Sequence, residues 1–320
     1  MNILIIKLGA LGDVVNTLPL AVRLKQHFNA RIHWITEHLS FPLLSRHAFI
    51  DRTILFDRTC LRRSLPELVK TIRREHFDIA FDLQRIAKSA LICLASSSSR
   101  RIGFDRKRCK EMTWLLPFER IAPSDPSSHM VNQYLEFAEH LGIGREEPMW
   151  AIPQGDVPTV SLPERYLVLN IGATKPANRW NAGGFAALAD LAADRYGIPC
   201  VLTGGSEDRI MADRIVQGTK GLVFDLVGRT TIMELIGVLS GALAVVSCDT
   251  GPMHLAVALG KEVVALFGPA DPGRTGPYRG HVIRKSLPCI PCGKRTCSDP
   301  FCMDSILPED VIEELDPLIG

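Results

Sequence analysis

The sequence lacks a long hydrophobic run. No stretch of its 320 residues approaches the roughly 18 consecutive apolar residues that a membrane-spanning helix needs. The first residues, Asn2 to Ile6, predict a β-strand instead of the apolar core of a secretion signal. We therefore expect a cytoplasmic protein that does not span a membrane.

Aromatic residues are scarce, at 7% of the chain, and they are not interleaved with the basic residues. Residues 58–110 carry 14 Lys and Arg against 5 Asp and Glu. Without stacking side chains, this basic stretch does not favour nucleic acid as a partner. A field of that sign attracts phosphates, carboxylates or anionic lipid headgroups, although the same composition also suits a solvated basic face.

The sequence also lacks the cysteine spacing of a standard zinc ribbon. Four of its nine cysteines cluster near the end of the chain, at Cys289, Cys292, Cys297 and Cys302. Four thiolates on a tight loop can hold a structural zinc. A large chain without a secretion signal favours reduced thiols instead. The pattern leaves both open and favours reduced or packed thiols.

The sequence does contain two series of alternating strand-like and helix-like segments. Short β-branched runs alternate with helical periodicity in each half, which is typical of parallel sheets covered on both faces. Residues 148–163 contain four prolines and a glycine, as a linker does. We expect an α/β fold with two doubly wound, Rossmann-like domains, residues 1–157 and 158–320, and a ligand cleft between them.

Three predicted strand-to-helix turns in the second half carry unusual residues. They are "NIGATKPANRW" with Thr174, Lys175 and Arg179, "LTGGSEDR" with Glu207, and "SCDTGPMH" with Asp249, Thr250, Gly251 and His254. Amides at helix starts, with a hydroxyl and a cation nearby, suit a diphosphate. We expect Asp249 to act as a helix N-cap. Ordinary caps and turns are the alternative for each turn taken singly.

The turn "KLGALGDVVNTLPL" follows the first strand and contains Asp13, whose carboxylate can accept a proton from a hydroxyl nucleophile. A plain helix cap is the simpler interpretation of that carboxylate. Gly9 and Gly12 supply GxxG but not the dinucleotide fingerprint GxGxxG. With Glu37 after the second strand, a nicotinamide oxidoreductase remains an alternative, as does a binding module without turnover.

Taken together, "KLGALGDVVNTLPL" and "VVSCDTGPMHLAVALGKEVVALFGPADP" resemble glycosyltransferase family 9, the ADP-heptose:lipopolysaccharide heptosyltransferases. The resemblance extends through "FDIAFDLQRIAKSA" to the tail "CMDSILPEDV", and "RIGFDRKRCKE" is most like the heptosyltransferase I branch. It implies a GT-B fold and an inverting, metal-independent transfer of heptose from ADP-L-glycero-D-manno-heptose to the Kdo or inner-core region of lipopolysaccharide. Transfer of the second- or third-heptose type, or of another nucleotide sugar, is the alternative within the family.

The resemblance also assigns roles to individual residues. Asp13 matches the catalytic base, and an anionic glycolipid acceptor on the inner membrane would contact the first domain through Arg58, Arg62, Arg63 and Lys110. The nucleotide sugar would contact Thr174, Lys175, Asn178, Arg179, Glu207, Thr230, Asp249, Thr250, Gly251 and His254. Relatives usually have lysine where this chain has Asn178, so Lys175 or Arg179 would supply the missing charge. A peripheral contact with the membrane is expected.

Overall fold

The protein is described by a computed structural model that covers residues 1–319, with the side chain of Leu61 left out of the description. The chain divides into two compact units, the first running from Met1 to Pro153 and the second beginning at Gln154. The boundary lies four residues before the one expected from the sequence, within the same Pro-rich segment.

The first unit contains one six-stranded parallel sheet. Its strands are β1 (Asn2–Ile6), β2 (Arg31–Thr36), β3 (Arg52–Leu55), β4 (Phe77–Asp82), β5 (Ser98–Gly103) and β6 (Glu119–Arg120), in the order β3-β2-β1-β4-β5-β6. Its helices are α1 (Leu11–Phe28), α2 (Phe41–Ser45), α3 (Leu61–Arg73), α4 (Ala87–Ala95) and α5 (Met130–His140), with a 3-10 turn at Thr113–Leu115.

Burial explains why these segments are strands and helices. Strand β1 is an unbroken apolar run in which Ile3 to Ile6 are all fully buried, as a central parallel strand requires. Helix α1 begins at Leu11 and packs against α5. Helices α3 and α4 cover the sheet face that carries Leu4 and Ile6.

The second unit repeats the architecture with a second parallel sheet. Its strands are β7 (Leu167–Asn170), β8 (Cys200–Thr203), β9 (Val223–Asp225), β10 (Ala244–Cys248), β11 (Glu262–Leu266) and β12 (His281–Ile283), in the order β12-β11-β10-β7-β8-β9. Its helices are α6 (Ala182–Tyr196), α7 (Arg209–Gly218), α8 (Ile232–Gly241), α9 (Gly251–Ala258), α10 (Pro272–Thr275), α11 (Phe301–Asp304) and α12 (Pro308–Ile319), with 3-10 turns at Pro176–Asn178 and Ser206–Asp208.

Strand register in the second sheet brings three polar residues to one level. Asn170 pairs in register with Thr203 on one side and with Ser247 on the other. All three lie at or next to the carboxyl ends of their strands, where ligands bind in open parallel sheets. In the part of the chain that the structure describes, no helix is both long enough and apolar enough to cross a bilayer.

Candidate functional site

Asp13 is the third residue of α1, at the carboxyl edge of the first sheet. Its helix starts four residues after β1 ends, so the intervening residues 7–10 form a short turn. A carboxylate in the first turn of a helix is stabilised by the positive end of the helix dipole. The side chain of Asp13 is 37% exposed, so a substrate can reach it.

Two side chains hold the carboxylate of Asp13. Lys7 Nζ lies 3.1 Å from Asp13 Oδ2, and Tyr134 Oη donates a hydrogen bond of 3.3 Å to Asp13 Oδ1. Lys7 Nζ also lies 5.2 Å from the centroid of the Tyr134 ring. Each carboxylate oxygen therefore has its own protein partner, and the group has a defined orientation at the sheet edge.

Lys7 is 1% exposed, and a lysine is rarely this buried unless it is paired, as Lys7 is with Asp13. Burial acts to lower its pKa, but Asp13 and then Tyr134 act in the opposite direction, and the net result is a raised pKa for Lys7. Burial, reinforced by the charge of Asp13, likewise raises the pKa of the Tyr134 hydroxyl. At neutral pH the site therefore contains an ammonium and a neutral phenol.

The residues that follow β4 complete this first site. Gln84 Oε1 accepts hydrogen bonds from the amides of Leu8 and Gly9, at 3.1 and 3.4 Å, and so fixes the turn before α1. Arg85 is buried, with its guanidinium 4.9 Å from the centroid of the Phe104 ring. Burial raises the pKa of Asp82, the last residue of β4, although hydrogen bonds from Ser89 and from neighbouring amides oppose this.

The second site is built on a row of neutral polar groups across three strands. Asn170 Nδ2 donates to Ser247 Oγ and to Thr250 Oγ1, both at 3.0 Å, and Asn170 Oδ1 accepts from Thr203 Oγ1 at 3.3 Å. Asn170 is 1% exposed, so these bonds satisfy a buried amide. The row fixes Thr250 at the start of α9.

The expectation that Asp249 caps α9 was wrong. The N-cap is Thr250, and Pro252 lies in the first helical turn, where its missing N–H costs nothing. Asp249 Oδ2 instead accepts a hydrogen bond of 3.1 Å from Asn178 Nδ2. The buried Asn178 therefore joins the turn after β7 to the turn after β10.

The two candidate cations of this site differ in their surroundings. Arg179 Nη2 lies 2.8 Å from Oδ1 of the buried Asp208, whose pKa is raised by burial despite the amide of Gly205 and the charge of Arg179. Lys175 is half-buried and has no ion-pair partner among the described residues 1–319. The charge of Arg179 is thus largely balanced within the protein, whereas that of Lys175 remains available to an anion.

The remaining predicted donor residues lie at the same edge. Thr174 and Glu207 are exposed, and Thr230 is half-buried after β9. Gly251 begins α9, and His254, 8% exposed, lies one turn into it. These residues follow β7, β8, β9 and β10, so the topology places them along one edge of the second sheet, as the sequence predicted.

Comparison with known proteins identifies the family. Residues 66–301 match the model of "Glycosyltransferase family 9 (heptosyltransferase)". The chain belongs to glycosyltransferase family 9. It is 26% identical to "Lipopolysaccharide heptosyltransferase 1" of Pseudomonas aeruginosa, over 100% of this chain and 98% of that one. It is 27% identical to "Lipopolysaccharide core heptosyltransferase OpsX" of Haemophilus influenzae, over 87% and 82%.

A solved structure of E. coli heptosyltransferase WaaC with ADP superposes on this glycosyltransferase with a TM-score of 0.82, at 25% identity, covering 99% of this chain and 100% of that chain. This likeness confirms the predicted GT-B fold class. The family match favours a glycosyltransferase over the nicotinamide oxidoreductase and over a binding module without turnover.

The predicted acceptor residues of the glycosyltransferase lie in its first unit. Arg62 and Arg63 are exposed in the first turn of α3, and Arg58 is exposed just before that helix. Lys110 is exposed in the segment after β5, where its amide donates to the carbonyl of Arg85 at 3.1 Å. Their roles remain predictions.

The cysteine cluster gives no support to the zinc interpretation. Among residues 1–319, no group of three or more His, Cys, Asp or Glu side chains is arranged to hold a metal ion. Cys289, Cys292 and Cys297 are exposed, whereas Cys302 is buried. Burial is the main cause of the raised pKa of Cys302, and its thiol stays protonated at neutral pH.

Sequence reasoning missed several residues that shape both sites. Lys7 and Asn170 carried a usable signal, because each is a polar residue at the end of an apolar strand. Tyr134 carried none, since it lies 121 residues from Asp13 and reaches it only through the packing of α5 on α1.

Proposed function

We propose that this enzyme transfers heptose from ADP-heptose to the Kdo or inner-core region of a lipopolysaccharide acceptor, with inversion at the anomeric carbon. The observation that carries this proposal is the environment of Asp13, a carboxylate held by Lys7 and Tyr134 at a sheet edge and still 37% exposed. The names of the relatives support the donor and acceptor classes.

In the proposed step, an acceptor hydroxyl attacks the anomeric carbon of the donor. The new C–O bond forms as the bond to the ADP oxygen breaks, and the hydroxyl proton passes to Asp13. ADP leaves with the electron pair of the broken bond. Lys7 and Tyr134 keep the carboxylate oriented, so little reorganisation is needed as the proton arrives.

We propose that the second unit stabilises the negative charge that grows on the leaving diphosphate. The start of α9, fixed by Asn170 and Thr250, offers backbone amides to a phosphate. Lys175 supplies the cation for this diphosphate, because it has no ion-pair partner among the described residues. Arg179 is the weaker candidate, because Asp208 already balances its charge. No metal ion takes part in this proposal.

The acceptor is an anionic lipid, which matches the charge of the first unit. Arg58, Arg62, Arg63 and Lys110 would bind its phosphates or carboxylates. The same basic stretch would attract the enzyme to the cytoplasmic face of the inner membrane as a peripheral protein. Membrane-supported activity should then fall as the salt concentration rises.

One experiment tests the assignment. Purified enzyme is incubated with ADP-heptose and with a panel of acceptors that carry Kdo alone, one heptose or two heptoses, and products are identified by mass. We expect ADP release and a gain of one heptose on the Kdo acceptor. If only the heptose-bearing acceptors gain a heptose, the enzyme adds a later heptose than the first. NAD-dependent absorbance changes without ADP release would contradict the proposed heptose transfer.

A further inference from the structure

A groove of about 540 Å³ lies between α3 and α4, and none of the residues that line it has a role in the proposed transfer. Its floor consists of Phe56 and Ile92, which are 0% and 1% exposed. Its lining is apolar apart from one lysine and consists of Phe56, Leu65, Val69, Lys88, Leu91, Ile92 and Ala95. The lining of the groove therefore suits an apolar ligand.

The walls of the groove are unusually exposed. Leu65 on α3 is 41% exposed and Leu91 on α4 is 63% exposed, although both line the same groove. Isolated exposed leucines are common and need no explanation. Here, however, two leucines on opposite sides of a groove form, with its buried apolar floor, one continuous apolar surface that is in contact with water in the free protein.

The two ends of the groove differ. At one end Arg73 Nε donates to the carbonyl of Ala95 at 3.2 Å, which joins the last turns of the two helices. At the other end are Arg62 and Arg63 in the first turn of α3 and Lys88 in the first turn of α4, with Lys88 Nζ 5.8 Å from the centroid of the Phe56 ring. We call the end at Arg62, Arg63 and Lys88 the mouth of the groove; at the other end the hydrogen bond of Arg73 bridges the two helices.

The topology determines where the mouth opens. Helices α3 and α4 follow parallel strands β3 and β4, so their first turns lie at the carboxyl edge of the sheet. Asp13, at the start of α1, lies at that same edge. The lining from Lys88 to Ala95 extends about 10 Å along the helix at 1.5 Å per residue.

We propose that this groove binds an acyl chain of the lipid acceptor, with the acceptor's anionic groups at the cationic mouth. The proposal rests on the proposed function, and it makes the enzyme selective for acylated over sugar-only acceptors. Charge complementarity and the shared sheet edge favour the acceptor itself as the occupant. A bilayer surface is the competing occupant, because Lys70, Arg73 and Arg74 border a second depression beside Leu65.

The test compares two soluble acceptors that are identical except that one carries a single octanoyl chain and the other is fully deacylated. No membrane is present. Each buried methylene contributes roughly a fourfold factor, so we expect KM for the acylated acceptor to be at least about tenfold lower. Leu91→Asp and Leu65→Asp should each bring the ratio of the two KM values close to one. Leu222→Asp, which changes a 65% exposed leucine before β9, is the matched control and should keep the wild-type ratio.

The outcomes separate the two proposals. Equal KM values for both acceptors with wild-type enzyme would overturn the groove assignment while leaving the proposed function intact. No transfer to either acceptor would overturn the proposed function and the groove assignment with it. If Leu91→Asp keeps the KM ratio but abolishes sedimentation with phosphatidylglycerol vesicles, the groove is a bilayer contact and the acyl-chain proposal is wrong.

Discussion

The two units have the same kind of sheet but organise their sites with different chemistry. The first unit surrounds one partly exposed carboxylate with a buried ammonium and a phenol, Lys7 and Tyr134. The second aligns neutral amides and hydroxyls, from Thr203 through Asn170 to Thr250, beneath a helix start. The ammonium keeps the carboxylate ionised and oriented, whereas the neutral row holds the helix start whose amides can bind an anion. The comparison predicts that damage to each site has a different kinetic signature.

The largest effect should come from Asp13→Asn. The variant keeps the size and polarity of the side chain but removes the base, so we expect the transfer rate to fall at least ~10²-fold. The measurement is ADP release under saturating donor and acceptor, with Asp78→Asn, a change on the exposed start of β4, as a control. Wild-type turnover by Asp13→Asn would remove the base from the mechanism.

Lys7→Met should act only through Asp13. Removing the ammonium leaves the carboxylate less firmly oriented, and we expect kcat to fall by about tenfold. A double-mutant cycle checks the cause, because Lys7→Met should add little to the loss already present in Asp13→Asn. Independent, multiplicative losses would show that Lys7 serves another purpose. Thermal melts of all variants control for misfolding.

Lys175 and Arg179, the two cations of the second unit, should have different effects. Loss of one should weaken donor binding, and loss of the other should lower the stability of the fold. Lys175→Ala removes a cation that is unpaired among the described residues, and we expect donor KM to rise about tenfold with Tm unchanged. Arg179→Ala instead leaves the buried Asp208 without its partner and should lower the stability by about 2–4 kcal/mol. The reverse pattern would exchange the roles of the two residues.

Asn170→Leu tests whether the neutral row matters to the fold as well as to binding. The change leaves buried hydroxyls of Thr203 and Thr250 with fewer partners, at a cost of about 1–3 kcal/mol. For a unit of this size we expect Tm to fall by about 2–10 °C, measured by calorimetry. An unchanged Tm would mean that the row contributes no net stability.

The smallest effect concerns the edge of the first sheet. Hydrogen bonds from Arg100 at 2.9 and 2.7 Å, followed by His140, lower the pKa of Glu119 to about 2 from its ordinary value of 4.5. A lowered pKa stabilises the fold above pH 4.5, and this contribution is lost as the pH falls toward 2. The pair is largely exposed, so Glu119→Gln should lower the stability by at most about 1 kcal/mol at pH 7. The difference in stability between wild type and Glu119→Gln should shrink in thermal melts below pH 4.5. A difference that stays constant with pH would contradict the lowered pKa of Glu119 as its cause.

Periodicity and burial made much of the fold predictable. Strand β1, predicted over Asn2 to Ile6, follows from its apolar run, because a central parallel strand is buried on both faces. The alternation of strands with helices in each unit follows from the two alternating series in the sequence. Strand β5, with the sequence SSRRIG, escaped notice because Ser99 and Arg100 in its middle are exposed and Ile102 is its only large apolar residue. So short a segment without an apolar run or alternation cannot be distinguished from a loop in the sequence.

The candidate sites were predictable as residue types but not as contacts. The turns containing Asp13 and Thr250 were identified because glycine, aspartate and threonine follow apolar strands. The partnership of Asp249 with Asn178 was not, since it joins residues 71 positions apart through the order of β7 and β10. Local cap preference therefore gave the wrong N-cap for α9, because a tertiary hydrogen bond occupies Asp249.

The most direct test of the division between the two units is a calorimetric titration of ADP into three full-length proteins: wild type, Asp13→Asn and Lys175→Ala. The account predicts that Asp13→Asn binds ADP as wild type does, although it transfers almost no sugar, while Lys175→Ala binds ADP about tenfold more weakly. Equal weakening of ADP binding in both variants would contradict it.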